Sequence, residues 1–153
     1  MSTNKRNSGF TLIEAMATIA IISILAVGVM PMSKMIYQRK KELELRQNLR
    51  VIRNALDKYE ALVDQGTIPK STLSGYPPNL ETLVEGVALN DVAGSKKKFL
   101  RRVPKDPMTE EGKWGLRSYN DEPTSSVWGG QDVYDVYSLS EGTAIDGTFY
   151  REW

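Results

Sequence analysis

The sequence predicts an α+β protein in which one long N-terminal helix packs on a small antiparallel β-sheet head domain. Three observations carry this. Nineteen consecutive residues, 15 to 33, hold no charge. A stripe of apolar residues at helical spacing follows, made of Leu45, Leu49, Ile52, Leu56, Tyr59 and Val63. Beyond residue 64 the pattern changes to short β-rich stretches separated by Gly, Pro and Asp-Gly turns.

The N-terminal end reads as follows. Residues 1–8 are mostly polar and include Lys5 and Arg6. A Gly9-Phe10 junction comes next, then Thr11-Leu12-Ile13-Glu14 and the uncharged run. A membrane helix needs roughly 20 apolar residues to cross a ~30 Å hydrocarbon core, so this run predicts a transmembrane segment over 10–33. An ordinary cleaved signal peptide has an apolar region of about 7–15 residues followed by small residues at the cut. Here the run is longer, and Pro31-Met32-Ser33-Lys34 leads straight into another helical pattern. The small residue, Gly9, lies before the run, so a cut there would leave the apolar segment on the mature chain. Lys5 and Arg6 stand at one end, but Lys34, Arg39, Lys40 and Lys41 crowd the other. Charge counting therefore leaves the orientation open.

Glu14 is costly inside or beside a bilayer, and such carboxylates tend to be functional and to have a partner. It is either solvated among headgroups or paired with a cation. Gly28 and Pro31 lie inside the apolar helix. Proline removes a backbone donor and disfavours helix at the residue before it, which marks a kink or a local melting point.

From 34 to 64 the pattern is an amphipathic helix. Its apolar positions step by 4, 3, 4, 3 and 4, while Arg46, Arg50, Arg53, Asp57, Lys58 and Glu60 take other faces. The whole helix is expected over 10–63, roughly 80 Å at about 1.5 Å per residue. Gln65-Gly66-Thr67-Ile68-Pro69 stops it. In the head, 65–153, Asn79 is the expected N-cap of a short helix that presents Leu80, Leu83, Val84 and Val87 on one face. Lys96-Lys97-Lys98 is expected in a solvated turn. Residues 99–108 are extended, because Pro104 and Pro107 bias their predecessors away from helix. Strands are expected at 114–119 and at 133–139, the latter central in its sheet. After the Asp146-Gly147 turn, 148–150 is a last short strand or lid.

Composition narrows the function. The 153 residues suit one domain plus an anchor. Mean hydropathy is −0.37 in spite of the apolar segment, so the rest faces water. Net charge is +1, and removal of residues 1–9 leaves 18 basic against 19 acidic side chains. That lacks the basic surplus of a nucleic-acid binder. There is no cysteine and no histidine. Disulfides, thiolate chemistry, the Ser-His-Asp triad and His-ligated zinc are excluded, and with them most catalytic readings. The expected role is not enzymatic.

Gly9-Phe10-Thr11-Leu12-Ile13-Glu14 resembles the class III signal-peptide motif of type IV pilins and type II secretion pseudopilins. The resemblance implies that prepilin peptidase cuts between Gly9 and Phe10 and that the new amine is methylated, giving N-methylphenylalanine. It makes Glu14 the carboxylate kept within the membrane, where it pairs with the Phe10 amine of a neighbouring subunit and sets filament register. Pro31 matches the proline common in this helix. The resemblance also favours an N-terminus on the cytoplasmic side.

Further phrases are similar to the head of the major (G-type) pseudopilin family. They are Tyr76-Pro77-Pro78-Asn79-Leu80-Glu81, Arg101-Arg102-Val103-Pro104-Lys105-Asp106-Pro107, Trp114-Gly115, Val136-Tyr137-Ser138-Leu139 and Asp146-Gly147. The implied protein is a pilin-like structural subunit in the inner membrane, single-pass, with its head in the periplasm. It would polymerise through its N-terminal helices into a pseudopilus that drives protein export across the outer membrane. Its partners would be further copies, other pseudopilins, prepilin peptidase and an inner-membrane assembly platform. The alternatives are a type IV pilin of an extracellular fibre and a membrane-anchored periplasmic binding domain.

The family resemblance also implies calcium in the C-terminal loop. Asp132, Asp135, Glu141 and Asp146 are the acidic candidates, with Ser138 and Ser140 nearby. Asp135 matches the family's acidic residue before the Val136-Tyr137-Ser138-Leu139 strand. The family's Gly-Ala-Asp-Gly turn is replaced by Ser140-Glu141-Gly142, and the next Asp-Gly comes only at Asp146-Gly147.

Overall fold

A computed structural model describes residues 9–90 and 94–153, and within 27–32 only the backbone. The chain forms two units, Met1–Gln38 and Arg39–Trp153. The first helix, α1, spans Leu12–Asp64, 53 residues.

In the second unit the apolar stripe of α1 is the spine of the core. Leu45, Leu49, Ile52, Leu56, Tyr59 and Val63 are all buried, as the spacing predicts. Burying a Leu, Ile or Val side chain contributes about 1.5–3 kcal/mol relative to exposure, so this one face accounts for much of the head's cohesion. Ile68, Leu80, Leu83, Trp114, Val133, Val136, Ala144 and Tyr150 close over it. The helix ends where Gly66 takes a positive φ of 68°. The Gly66 amide then donates to Val63 O and the Thr67 amide to Leu62 O, both at 2.9 Å, which satisfies carbonyls that the last turn leaves open.

The second helix, α2, spans Glu81–Glu85. Asn79 has the expected capping role: its Oδ1 accepts from the Thr82 amide at 2.9 Å. Val87 is not on the helix face as the sequence suggested. Gly86, at φ 83°, ends α2, and a Cβ there would lie 2.8 Å from the Lys97 carbonyl oxygen. The chain turns at that close approach into β1, Val87–Ala88, which pairs antiparallel with β2, Lys96–Lys97. The lysine run is thus exposed but lies partly in a strand. Its backbone pairing is invisible to a charge pattern.

Two longer strands, β3 (Trp114–Arg117) and β4 (Asp135–Ser138), pair antiparallel with Trp114 opposite Ser138 and Arg117 opposite Asp135. Among the described residues β4 has strand partners on one side only, so it is not a central strand. In the C-terminal segment, where the sequence predicts a last short strand or lid at 148–150, there is a single bridge, Thr143 to Phe149, followed by a 3-10 turn over Tyr150–Glu152. Two polar contacts fix the sheet to the extended segment before it. The Trp114 indole N–H donates to Pro104 O at 2.7 Å, and Ser138 Oγ donates to buried Asp106 Oδ2 at 2.6 Å.

Candidate functional site

At the N-terminal junction, Gly9, Phe10 and Thr11 precede the helix and Leu12 begins it. Thr11 caps the first turn: the Glu14 amide donates to Thr11 Oγ1 at 3.3 Å and the Ala15 amide to Thr11 O at 3.1 Å. Thr11 and Glu14 have the spacing of a capping box, and a carboxylate in the first turn also suits the positive end of the helix dipole. The Gly9–Phe10 bond therefore lies in non-helical backbone next to a fixed helix start. Phe10 is 74 % exposed. Glu14 is exposed too, and among the described residues its carboxylate accepts no hydrogen bond. Lys5 and Arg6 lie outside the described residues.

Behind Glu14 the helix is apolar on every side. Met16, Ile19, Ile21, Ile22, Ile24 and Leu25 are all exposed, as are Leu12 and Ile13 before Glu14. From Ala15 to Ala26 the polar side chains are Thr18 and Ser23. Their hydroxyls donate back to Ala15 O at 2.8 Å and Ile19 O at 2.7 Å, leaving little to hydrogen-bond to water. Among the described residues no helix is long and apolar enough to cross a membrane. The described part of the run stops at Ala26, short of the roughly 20 residues a crossing needs. Gly28 and the kink expected at Pro31 fall within 27–32, outside the described side chains.

In the head, the C-terminal segment is held by a row of charged residues on α1. Glu42, Arg46 and Arg53 are spaced 4 and 7 apart, so they share one side of the helix beside the buried Leu45 and Leu49. Glu42 Oε1 accepts from the Ile145 amide and from the Tyr150 hydroxyl, both at 2.9 Å. Arg46 pairs with Asp146 at 3.2 Å, and its guanidinium lies 4.1 Å from the centre of the Trp153 ring. Arg53 Nε donates to Asp135 Oδ1 at 2.7 Å, and Nη2 reaches Asp135 Oδ2, Val136 O and Trp153 O. The sequence placed Arg46 and Arg53 off the apolar stripe but gave neither a partner. Glu42 lies three residues before Leu45 and two turns before Leu49, and that position beside the stripe is the one local hint of its burial.

The four carboxylates singled out for calcium are not brought together. Asp132 is buried, with Oδ1 accepting from the Tyr119 amide at 2.9 Å and Oδ2 from Ser74 Oγ at 2.7 Å. Asp135 is shared by Arg53 and Arg117. Asp146 accepts from the Thr148 hydroxyl and amide as well as from Arg46, and these bonds hold its carboxyl below the usual range. Glu141 is exposed on the loop after β4. Among the described residues no group of three or more carboxylates could hold a metal ion. Sequence proximity suggested a cluster, but side chains on a turning loop point in different directions.

A second polar node went unnoticed in the sequence. Asp121 Oδ2 accepts from the Ser118 amide at 2.7 Å and the Gly129 amide at 3.0 Å, closing the loop between β3 and β4. Those backbone donors hold its carboxyl below the usual range. Beside this loop Tyr76, Tyr119 and Tyr134 form an aromatic cluster with centroids 5.0 to 6.2 Å apart. Partial burial, then Glu60 and Asp57, push the Tyr76 phenol up to about 12. Nothing in this group pairs a nucleophile with a base.

Comparison with known proteins bears on both ends of the chain. Residues 4–30 match the family described as the prokaryotic N-terminal methylation motif. The chain is 30 % identical over 109 residues to the type II secretion system core protein G of Escherichia coli (strain K12), which covers 70 % of each chain. No solved structure matches it.

Proposed function

Because the chain belongs to the type II secretion system core protein G family, the major pseudopilins, we propose that it is processed at Gly9–Phe10 and polymerises into a pseudopilus that drives protein export. Members of the family are structural subunits, and this chain is not an enzyme. The observation that carries the reading is the junction itself. The Gly9–Phe10 peptide lies just outside a capped helix start, with one carboxylate in the first turn and apolar surface behind it.

Hydrolysis there releases the leader with a Gly9 carboxylate and leaves an ammonium on Phe10. That amine, once methylated, is a cation for an exposed Glu14 of a neighbouring subunit, which has no cationic partner among the described residues of its own chain. In the low dielectric of a helix bundle such a pair is strong, and an unpaired carboxylate is penalised. Pairing then fixes the axial register of copies. The apolar helix lies in the inner membrane before assembly and in the filament core afterwards, with the head in the periplasm. Prepilin peptidase, other pseudopilins and an assembly platform are the partners this pathway requires.

The test is the intact mass and N-terminal sequence of the protein from its host membrane. A chain beginning at Phe10 and heavier by one methyl supports the reading. A chain beginning at Met1 sinks it. Deletion then separates pseudopilus from surface pilus, since the first loses secretion and the second loses surface filaments.

A further inference from the structure

We propose that the C-terminal loop of this head is organised by the chain's own cations, with the Arg53 guanidinium in the place a calcium ion would take, so that the head holds its fold without calcium. Arg53 gathers the kind of donor set that a hard cation seeks. Both Asp135 carboxylate oxygens and the main-chain oxygens of Val136 and Trp153 lie 2.7 to 3.3 Å from its nitrogens. Arg117 stands 3.8 Å from the same carboxylate. Calcium takes six to eight oxygens at about 2.3–2.6 Å and depends on several carboxylates. Here one side-chain carboxylate is present, already paired with two guanidiniums whose field repels a further cation.

Three other acidic side chains are committed elsewhere, and Glu141 is exposed on the loop after β4. Asp132 is bonded to Tyr119 and Ser74, Asp121 to Ser118 and Gly129, and Asp146 to Thr148 and Arg46. Asp132 is buried, so turning it toward a metal would leave its donors unpaired, which is costly, while Asp121 and Asp146 would give up hydrogen bonds that favour their charged forms. Arg46, stacked on Trp153 and paired with Asp146, holds the far end of the same segment. The two arginines are seven residues apart on α1, two turns along one face. A point charge would bind the loop to itself; a guanidinium on α1 binds it to the helix.

The experiment is thermal unfolding of the full-length protein in detergent micelles, followed by near-ultraviolet circular dichroism, in calcium chloride and in EDTA. The wild-type transitions are expected to coincide. Arg53→Ala is expected to lower Tm by about 5–10 °C in both conditions, given charged hydrogen bonds and the size of the chain. Arg53→Lys, which keeps charge but not the planar fork, is expected to fall between them. A wild-type Tm that drops in EDTA overturns the inference, and so do Arg53 variants that both melt with the wild type. Either result leaves the pseudopilin reading intact, because processing and assembly are read separately by mass and N-terminal sequence.

Discussion

The Tyr150 hydroxyl donates to Glu42 Oε1 at 2.9 Å across 108 positions of sequence, and both residues are buried. The same carboxylate oxygen accepts the Ile145 amide. Glu42→Ala removes an acceptor from a phenol and from a backbone donor in a dry place. The expected cost is about 1–3 kcal/mol, the penalty of leaving such donors unsatisfied. Glu42→Gln, whose amide oxygen can still accept, is expected to cost less. Urea unfolding of the three proteins measures the difference, and equal midpoints would remove Glu42 from the account of how the C-terminal segment is held.

Gly115 faces Tyr137 across the β3–β4 pair, and the ring lies over it: a Cβ at Gly115 would stand 2.3 Å from Tyr137 Cζ. Arg117 covers the ring at 4.1 Å. Gly115→Ala must push the ring out of this stack, and overpacking of this kind costs about 1–3 kcal/mol. Gly115→Ala with Tyr137→Ala is expected to lose less than the two single changes added together, since the clash disappears with the ring. Additive losses in that double-mutant cycle would contradict the stacking argument.

The dependence of stability on pH follows from the groups that shift. With no histidine in the chain, no side chain of ordinary pKa titrates between about pH 6 and 8, so the head is expected to have a flat plateau there. Asp121 and Asp146 are held below their ordinary 3.8 by hydrogen bonds to their charged forms. Their contribution is present above that value and is lost as pH falls through the lower folded one. Tyr76 has the opposite sign. Its folded pKa is near 12 against 10.0, so the unfolded chain ionises first and stability falls between those values. A Tm profile from pH 3 to 12 checks both edges. Tyr76→Phe is expected to soften the alkaline one.

Glu14 is exposed, in the first turn of α1 and outside the head's core. Glu14→Gln is therefore expected to leave the head's unfolding transition unchanged while filament assembly in the host drops. Filament yield from sheared cells, beside the melting curve of the same variant, reads the two effects apart. A variant that assembles normally would return Glu14 to the role of a capping-box residue.

The parts legible in the sequence are those whose cause lies within a few residues. The stripe from Leu45 to Val63 needs only the 3.6-residue period, the stop at Gly66 needs a residue free to take positive φ, and the Asn79 cap needs one side-chain oxygen near an open amide. The Gly9–Phe10 junction and the carboxylate at Glu14 are local in the same sense. The β1–β2 hairpin escaped because Lys96 and Lys97 carry no apolar signal, and two residues of pairing leave no period to detect.

The tertiary structure alone decided which charges meet. Asp135 and Asp146 stood among candidate metal ligands while only their neighbours in sequence were visible. Folding sets α1 beside them, bringing Arg53 to Asp135 across 82 positions and Arg46 to Asp146 across 100. A carboxylate has the same composition and spacing whether it faces a metal or an arginine. The choice is made by the backbone path that carries a distant guanidinium to within hydrogen-bonding distance, and no local pattern records that path.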